Sequence, residues 1–253
     1  MITIKSEREL DLMRKAGHIV KLAHERIKEL IAPGVTTEEL NRAAEEVILR
    51  NGAIPSFKGV PCPYGGIDFP ASICASVNHE VIHGIPNKIR LKEGDIVSID
   101  IGAIFEGYHG DAARTFEVGN VSEDAHRLVE ITRESFYKGL EMVREGMRIR
   151  DISKAIQQFV EEQGFSIVRD FVGHGIGTVM HEDPQIPNFV SRERGPRLVK
   201  GMTLAIEPMV NQGNWKVEVL KNNWTVVTID GKLSAHYENT VAVTGNEPEI
   251  LTK

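Results

Sequence analysis

The chain has 253 residues, of which 41% are hydrophobic and 26% are charged, and its formal net charge is −6. This composition is typical of a globular domain, and it lacks the basic surplus of a protein that binds nucleic acid. No apolar run approaches the ~20 residues of a membrane helix, and the charged residues 1–15 do not resemble a signal peptide. We therefore expect a cytoplasmic protein that recognises neither nucleic acid nor membrane, with Cys62 and Cys74 as free thiols.

The first half of the chain predicts two helices followed by strands. Ser6-x-x-Glu9 is a capping box that begins a helix, and Pro33-Gly34 ends it near residue 31. Thr36-x-x-Glu39 begins a second helix, which runs to residue 50. After an irregular stretch rich in Pro and Gly, strands are predicted at residues 73–77, 96–105 and 112–118, the last two joined by a turn at Glu106-Gly107.

The second half repeats this order. Ser122 caps a third helix that is predicted to end near residue 146, and residues 150–163 form a fourth helix, ended by Gly164. Strands are then predicted at residues 171–172, 203–210, 217–220, 224–229 and 237–243.

Short sequence matches between the halves indicate an internal duplication. Residues 34–40 match 146–152, residues 94–100 match 201–207, residues 111–115 match 238–242, and His83-Gly-Ile resembles His174-Gly-Ile. Because the four matches keep the same order, we predict one α+β domain over residues 1–253, with halves of about 1–120 and 121–253 related by a pseudo-two-fold axis.

Acidic residues at matching positions suggest a metal site. Asp100 and Glu207 are each embedded in an apolar run that should be mostly buried, and Asp111 and Glu238 lie at the start of later strands. A single buried carboxylate is usually explained by a salt bridge or a cap. Four that converge on the axis would repel one another and require a large positive charge. Oxygen ligands with one imidazole, His174 between glycines, suit manganese, iron, cobalt or zinc.

Two known motifs resemble parts of the sequence, but the neighbouring residues do not favour the structure that each motif requires. His79-Glu-Val-Ile-His83 matches the H-E-x-x-H signature of zinc proteases, which requires a helix. Here the preceding residues favour a strand and Pro86 follows closely, so a helix is not expected. The glycines of residues 173–177 do not fit G-x-G-x-x-G, and no crossover helix follows them.

The motifs Val77-Asn-x-Glu-Val-Ile-His-Gly-Ile-Pro86, Asp100-x10-Asp111, Gly173-His-Gly-Ile-Gly177, Glu207-Pro-Met and Glu238-Asn-Thr together cover nearly the whole chain. In these motifs the sequence resembles the methionine aminopeptidases, in particular their short bacterial type I form. The resemblance implies the pita-bread fold, an antiparallel sheet flanked by helix pairs. It also implies a hydrolase that removes the initiator methionine from proteins.

The resemblance assigns roles to individual residues. It implies two divalent ions held by Asp100, Asp111, His174, Glu207 and Glu238. Glu207 would also relay a proton from the attacking water. His181 would donate a hydrogen bond to the substrate carbonyl, and His83 would contact the scissile amide. A structural sodium or potassium ion is implied near Asn78, Glu80 and Ser234.

The resemblance also nominates residues that bind the methionine side chain, namely Cys74, Phe69, Trp224 and Tyr64. Two departures from the family pattern lie beside them: the loop of residues 60–68 is longer than expected, and Met180 stands where many relatives have an aromatic residue. The implied partners are nascent chains at the ribosome, bound by a monomeric enzyme. The alternatives are a related exopeptidase of the Xaa-Pro type and a non-catalytic peptide-binding relative, which would typically have lost metal ligands.

Overall fold

The computed structural model describes residues 1–245 and 247–253. The helices of this part of the chain are α1 (Glu7–Leu30), α2 (Thr37–Arg50), α3 (Glu123–Leu140) and α4 (Ile149–Glu162). Both predicted capping boxes form. The Ser6 side chain accepts from the Glu9 amide, and the Glu9 carboxylate accepts from the Ser6 amide. Thr36 and Glu39 make the same reciprocal pair, so two of the orphan donors at each helix start are satisfied.

All strands are short except two, which have 10 residues each. They are β1 (Ile54–Pro55), β2 (Ile73–Val77), β3 (Glu80–Ile82), β4 (Ile96–Phe105), β5 (Tyr108–Glu117), β6 (Ser166–Ile167), β7 (Gly173–Gly175), β8 (Glu182–Ile186), β9 (Thr203–Ile206), β10 (Met209–Asn211), β11 (Val217–Val219), β12 (Val226–Thr228), β13 (Ser234–His236), β14 (Asn239–Val243) and β15 (Pro248–Ile250). Every pairing between these strands is antiparallel.

Each helix pair covers its own set of strands. Helix α1 packs against α2 and against β4 and β5, whereas α3 packs against α4 and against β10 and β13. Each pair buries an apolar face, which includes Val20 and Ile27 on α1 and Leu128 and Phe136 on α3. Since isolated helices of this length are marginal in water, this burial is what stabilises them.

The β4–β5 hairpin is the longest regular ladder of the structure. Its register runs from Ile96 opposite Glu117 to Phe105 opposite Tyr108. The turn residues Glu106 and Gly107 both have positive φ, 47° and 85°, as a two-residue type I′ turn requires. Strand β5 therefore begins at Tyr108, four residues before the predicted start, because so tight a turn lets pairing resume at once.

The prediction of one continuous strand over residues 203–210 is wrong, because this segment forms two strands. Strand β9 ends at Ile206, β10 begins at Met209, and the two belong to different sheets. Pro208 lacks a backbone N–H, so it cannot continue a ladder through this point. The break leaves Glu207 between the two sheets rather than within one of them.

The end of α3 and several short strands also differ from the sequence-based expectations. Helix α3 ends at Leu140, six residues before Gly146, and residues 171–172 precede β7 rather than forming a strand. Strands β1, β3, β6, β8, β13 and β15 correspond to no predicted strand. By contrast, Glu80–Ile82 is a strand, which confirms that the H-E-x-x-H match does not lie on a helix.

The strands that carry two of the carboxylates meet directly. The Ala113 amide donates to the Glu238 carbonyl at 3.3 Å, and the Glu238 amide donates to the Ala113 carbonyl at 3.0 Å. This backbone pair joins β5 to the start of β14 and brings residue 111 close to residue 238. Among the helices that the structure describes, none is both long and apolar enough to span a bilayer.

Candidate metal centre

The four predicted carboxylates come from four different strands or strand ends. Asp100 lies within β4 and Asp111 within β5, two pairs apart in the ladder, since Asp100 is opposite Ala113 and Asp111 is opposite Gly102. Glu207 follows β9, and Glu238 precedes β14. Asp111 and Glu238 are buried, with 3% and 2% of their surface exposed. The fold thus brings together side chains that are far apart in sequence.

Backbone bonds fix the orientation of Asp111. Its amide donates to the Thr240 hydroxyl oxygen at 3.0 Å, and the Thr240 hydroxyl donates to the Asp111 carbonyl at 2.9 Å. Thr240 is itself fully buried on β14. This exchange leaves the Asp111 carboxylate free to point into the centre, and it adds a second link between the two strands.

His174 joins the carboxylates from the other side. Asp111, His174 and Glu238 each offer a ligand atom, and these atoms lie within 4.8 Å of one another. The Nδ1 of His174 lies 2.8 Å from the Gly175 carbonyl, so Nδ1 carries the proton and Nε2 presents a lone pair. Nε2 lies 3.5 Å from a Glu207 oxygen. This is the tautomer that a metal ligand needs.

The glycines on both sides of His174 are required by packing. A Cβ at Gly173 would lie 2.3 Å from the Ala205 carbonyl oxygen, and one at Gly175 would lie 2.1 Å from the Asp183 oxygen. Strand β7 is therefore pressed between β8 and β9, and only glycine allows the approach. The close packing holds the His174 ring against the carboxylates.

Burial and mutual repulsion disfavour the charged forms of these acids. Burial, opposed by a hydrogen bond with Asp111, raises the pKa of Asp100 to about 7. Burial first, and then the neighbouring carboxylates, raise the pKa of Asp111, Glu207 and Glu238 well above the ordinary range. Burial lowers the pKa of His174 to about 4, so it is neutral at pH 7 and supplies no compensating charge.

The donor set fits divalent cations. Asp100 Oδ1, Asp111 Oδ1 and Glu238 Oε1 are buried and have no hydrogen-bond partner. Buried unpartnered acceptors are costly, and a cation would satisfy all three while offsetting their repulsion. Four carboxylates and one imidazole, without a thiolate, form an oxygen-rich set that suits two ions better than a structural zinc.

A cavity of about 420 Å³ opens onto these residues. All five candidate ligands line it, and the remaining lining residues form an apolar wall with two histidines: Phe57, Val60, Pro61, Pro63, Phe69, Cys74, His83, Met180, His181 and Trp224. The shape suits a substrate whose apolar side chain enters the wall while its backbone faces the carboxylates.

The two predicted catalytic histidines, His83 and His181, both line this cavity. The His83 ring packs edge-on against Trp224, with centroids 6.4 Å apart. The His181 ring packs on His174 with centroids 4.4 Å apart. His83 has a φ of 58°, an uncommon value for a non-glycine residue. Burial, followed by the nearby His181, lowers the pKa of His83 to about 4.

The predicted methionine-binding residues do not all lie in one place. Phe69, Cys74 and Trp224 are buried and share one apolar cluster, with the Phe69 and Trp224 rings 5.1 Å apart. Tyr64 lies outside the cavity lining and is 64% exposed. Burial, and then Asp100, raise the pKa of the Cys74 thiol well above its usual range, so this wall is uncharged.

The long loop of residues 60–68 is attached to the turn that precedes β12. The Trp224 indole donates to the Ile67 carbonyl at 2.9 Å, and the Asn223 side-chain amide donates to the Gly65 carbonyl at 3.0 Å. The loop therefore forms one rim of the cavity. Met180, the second departure from the family pattern, lines the same cavity.

The three residues nominated for a monovalent cation are neighbours. The Ser234 amide donates to the Asn78 carbonyl at 2.8 Å, and Glu80 accepts from the Val77 amide at 2.8 Å. The Asn78 side chain is already engaged by Asp95 and by the Ile96 amide. The oxygens that remain for a cation here are therefore those of the Glu80 carboxylate, the Ser234 hydroxyl and the backbone.

His236 and Thr240 belong to the centre but were absent from the sequence-based site. His236 lies 3.8 Å from a Glu238 oxygen and 4.0 Å from a Glu207 oxygen. The sequence does contain a signal for His236, because His236 precedes Glu238 by two residues, as His109 precedes Asp111. Thr240 gave no signal, since its role depends on a partner 129 residues away.

A buried cluster of carboxylates with one imidazole, at the edge of a peptide-sized cavity, defines a metallohydrolase site. Residues 11–245 match the model of metallopeptidase family M24, and the chain belongs to this family. A methionine aminopeptidase from Clostridium perfringens is 60% identical over 252 residues, which is all of this chain and 99% of that protein.

Solved structures agree with this assignment. A methionine aminopeptidase from Thermotoga maritima superposes with a TM-score of 0.95 at 46% identity, covering both chains completely. Prolidase from Pyrococcus furiosus gives a TM-score of 0.80 at 26% identity and is covered over only 65% of its length. The chain therefore has the pita-bread fold, and the similarity to methionine aminopeptidases is higher than the similarity to prolidase.

Proposed function

We propose that this chain is a methionine aminopeptidase, which hydrolyses the bond after the initiator methionine of nascent proteins by means of two divalent metal ions. The observation that carries the proposal is the set of buried, unpartnered carboxylate oxygens at the end of an apolar cavity. The full-length similarity to methionine aminopeptidases supports the same substrate.

The two ions would be held by Asp100, Asp111, His174, Glu207 and Glu238. Once bound, the ions would polarise the substrate carbonyl and lower the pKa of a water molecule far below that of bulk water, toward about 7. Glu207 is placed to accept the proton of that water as its oxygen bonds to the carbonyl carbon. The same carboxyl returns the proton to the amine that leaves when the C–N bond breaks.

The two histidines act on the substrate rather than on the ions. His181 donates its N–H to the carbonyl oxygen, where negative charge develops in the transition state. His83 contacts the amide nitrogen of the bond to be cleaved. Because the pKa of both rings is lowered, each is neutral at pH 7 and has one donor and one acceptor. Proton transfer by Glu207 therefore does not compete with a charged imidazole.

The methionine side chain would lie among Phe69, Cys74 and Trp224. A flexible thioether packs well against aromatic rings and a neutral thiol. Tyr64 is exposed, and it contributes only if the rim loop closes over a bound peptide. Met180 widens the choice of side-chain shapes that the rim accepts, since methionine adapts its shape more readily than an aromatic ring does.

The remaining assignments complete the proposal. The ions are cobalt, manganese, iron or zinc, and a sodium or potassium ion is held near Asn78, Glu80 and Ser234. The enzyme works in the cytoplasm as a monomer and meets its substrates at the ribosome. An Xaa-Pro exopeptidase is the second candidate, supported by the shared fold of prolidase. A peptide-binding protein without activity would not need five retained ligand candidates.

A peptidase assay separates these candidates. Protein stripped with EDTA is reconstituted with each divalent metal in turn and given Met-Ala-Ser, Ala-Pro-Ala and N-acetyl-Met-Ala-Ser. We expect release of methionine from the first peptide alone. Cleavage of Ala-Pro-Ala in its place would support the Xaa-Pro candidate. Metal binding without turnover of any peptide would refute the enzyme and favour the binding protein.

A further inference from the structure

His236 is a buried histidine that the proposed mechanism does not use. It ends β13, opposite Met209 on β10, and its side chain is 3% exposed. It precedes Glu238 by two residues, and side chains two apart along an extended chain point to the same face. His236 and Glu238 therefore face the same centre.

The Nε2 atom of His236 lies between two carboxylates. It is 3.8 Å from Glu238 Oε2 and 4.0 Å from Glu207 Oε2, and it has no hydrogen-bond partner. Both separations exceed the roughly 2.7–3.2 Å of an N–H···O hydrogen bond. A shift of about 1 Å by either carboxylate would close the bond, and bond lengths of this kind commonly tighten when an active site is occupied.

The surroundings of the ring set its tautomer. Its Nε2 atom faces the Glu207 and Glu238 carboxylates. The ring also lines a cavity of about 390 Å³ in which basic residues, among them Arg114 and Arg133, outnumber the acids Glu25 and Glu130. With carboxylates on one side and cations on the other, the N–H belongs on Nε2 and the lone pair on Nδ1.

We propose that His236 is a positioning residue of the metal centre: its Nε2–H donates to the Glu207 and Glu238 carboxylates and holds them in the orientation that binds the ions. The inference rests on the proposed function. Carboxylates that bind a metal need further hydrogen bonds to fix their free oxygens, and such outer partners affect metal affinity strongly.

The equivalent residue of the first half is engaged differently. His109 precedes Asp111 by two residues, yet its Nδ1 lies 3.0 Å from the Ser56 hydroxyl. Its ring therefore has a partner at a distance from the carboxylates, whereas His236 Nε2 has none. The positioning role is accordingly assigned to the second half only, on the side of the centre that contains Glu207.

Three substitutions at one position test the role of the donor. His236→Ala removes the donor. His236→Gln keeps an N–H near the place of Nε2, and His236→Asn puts its amide near the place of Nδ1 and is the matched control. The primary readout is the dissociation constant of each divalent ion, measured by calorimetry on metal-stripped protein. Thermal unfolding of the metal-free variants reports separately on folding.

We expect ion binding by His236→Ala and His236→Asn to weaken about 10–100-fold, and binding by His236→Gln to stay close to that of the unsubstituted protein. In ¹⁵N-labelled metal-free protein, imidazole couplings should show a protonated Nε2 and an unprotonated Nδ1. Unchanged ion affinity in His236→Ala, equal rescue by Asn and Gln, or a proton on Nδ1 would each overturn the inference alone. Failure of the unsubstituted protein to bind divalent ions would remove the proposed function as well.

Discussion

Removing one acidic group from the centre should stabilise the metal-free protein. In Asp100→Asn the side chain keeps its shape but cannot ionise. Burial raises the pKa of Asp100 from an ordinary 3.8 to about 7, so the folded protein retains a proton that the unfolded chain releases. A carboxyl with a raised pKa contributes stability that is fully present below pH 4 and is lost as the pH rises toward 7.

The size of the effect follows from these two pKa values. Between them, the free energy of unfolding falls by ~1.4 kcal/mol per pH unit. From pH 5 to pH 7.5, where titration in the folded state is largely complete, the loss due to Asp100 is about 2.5 kcal/mol. In Asp100→Asn the side chain cannot ionise, so the free energy of unfolding does not fall in this way. Its stability relative to the unsubstituted protein should therefore rise by about 2.5 kcal/mol over that range.

Urea unfolding in EDTA, at half-unit steps from pH 5 to pH 7.5, measures this difference. Comparing the two proteins at each pH cancels the titration of His24 and His236, whose lowered pKa values affect both alike. Excess manganese or cobalt should reverse the order, because only the unsubstituted protein keeps the full ligand set. A difference that is constant with pH, or that falls as the pH rises, would refute the electrostatic account.

Three further predictions concern the activity. His83→Ala and His181→Ala should each lower kcat by about 10²–10³-fold while the bound metal, measured by atomic emission, is retained; loss of metal together with activity would contradict their assignment to the substrate. Glu207→Gln should abolish turnover and reduce the bound ions from two toward one, as counted by calorimetric titration. Trp224→Ala should lower kcat/KM for Met-Ala-Ser by at least about tenfold, whereas Tyr64→Ala, at an exposed position, should stay within about twofold; equal losses would show that Tyr64 binds substrate in the closed state.

Local signals predicted the helices better than the strands. The starts of α1 and α2 follow from capping boxes that lie within four residues of sequence, so the whole signal is local. Helix α3 ends at Leu140 although no glycine or proline follows until Gly146. Near this end Gly139 lies against Ile156 of α4, and a Cβ there would come within 2.8 Å of the Ile156 side chain. Such a contact between helices cannot be read from either segment alone.

The candidate site also has a part that the sequence predicts and a part that it does not. Asp100, Asp111, Glu207 and Glu238 could be proposed from sequence, because matching segments in the two halves placed each acid at the edge of an apolar run. That the single strand predicted over residues 203–210 breaks at Pro208 was not foreseen, although a proline inside a strand is a warning of this. The break matters for the chemistry, since it frees Glu207 from a ladder and lets it face both His174 and His236.

The candidate metal centre lies where β5 meets the start of β14, and this explains why its buried acids are tolerated. The positions of Asp111 and Glu238 are imposed by backbone bonds between Ala113 and Glu238 and by the exchange of hydrogen bonds with Thr240. These bonds fix the backbone of both residues, so the two carboxylates can separate only by rotation of their buried side chains. Protonation or a bound cation are the remaining ways to relieve their repulsion. A rigid strand junction thus converts electrostatic repulsion into metal affinity, and replacing Thr240 by valine should weaken ion binding without altering the charge of the centre.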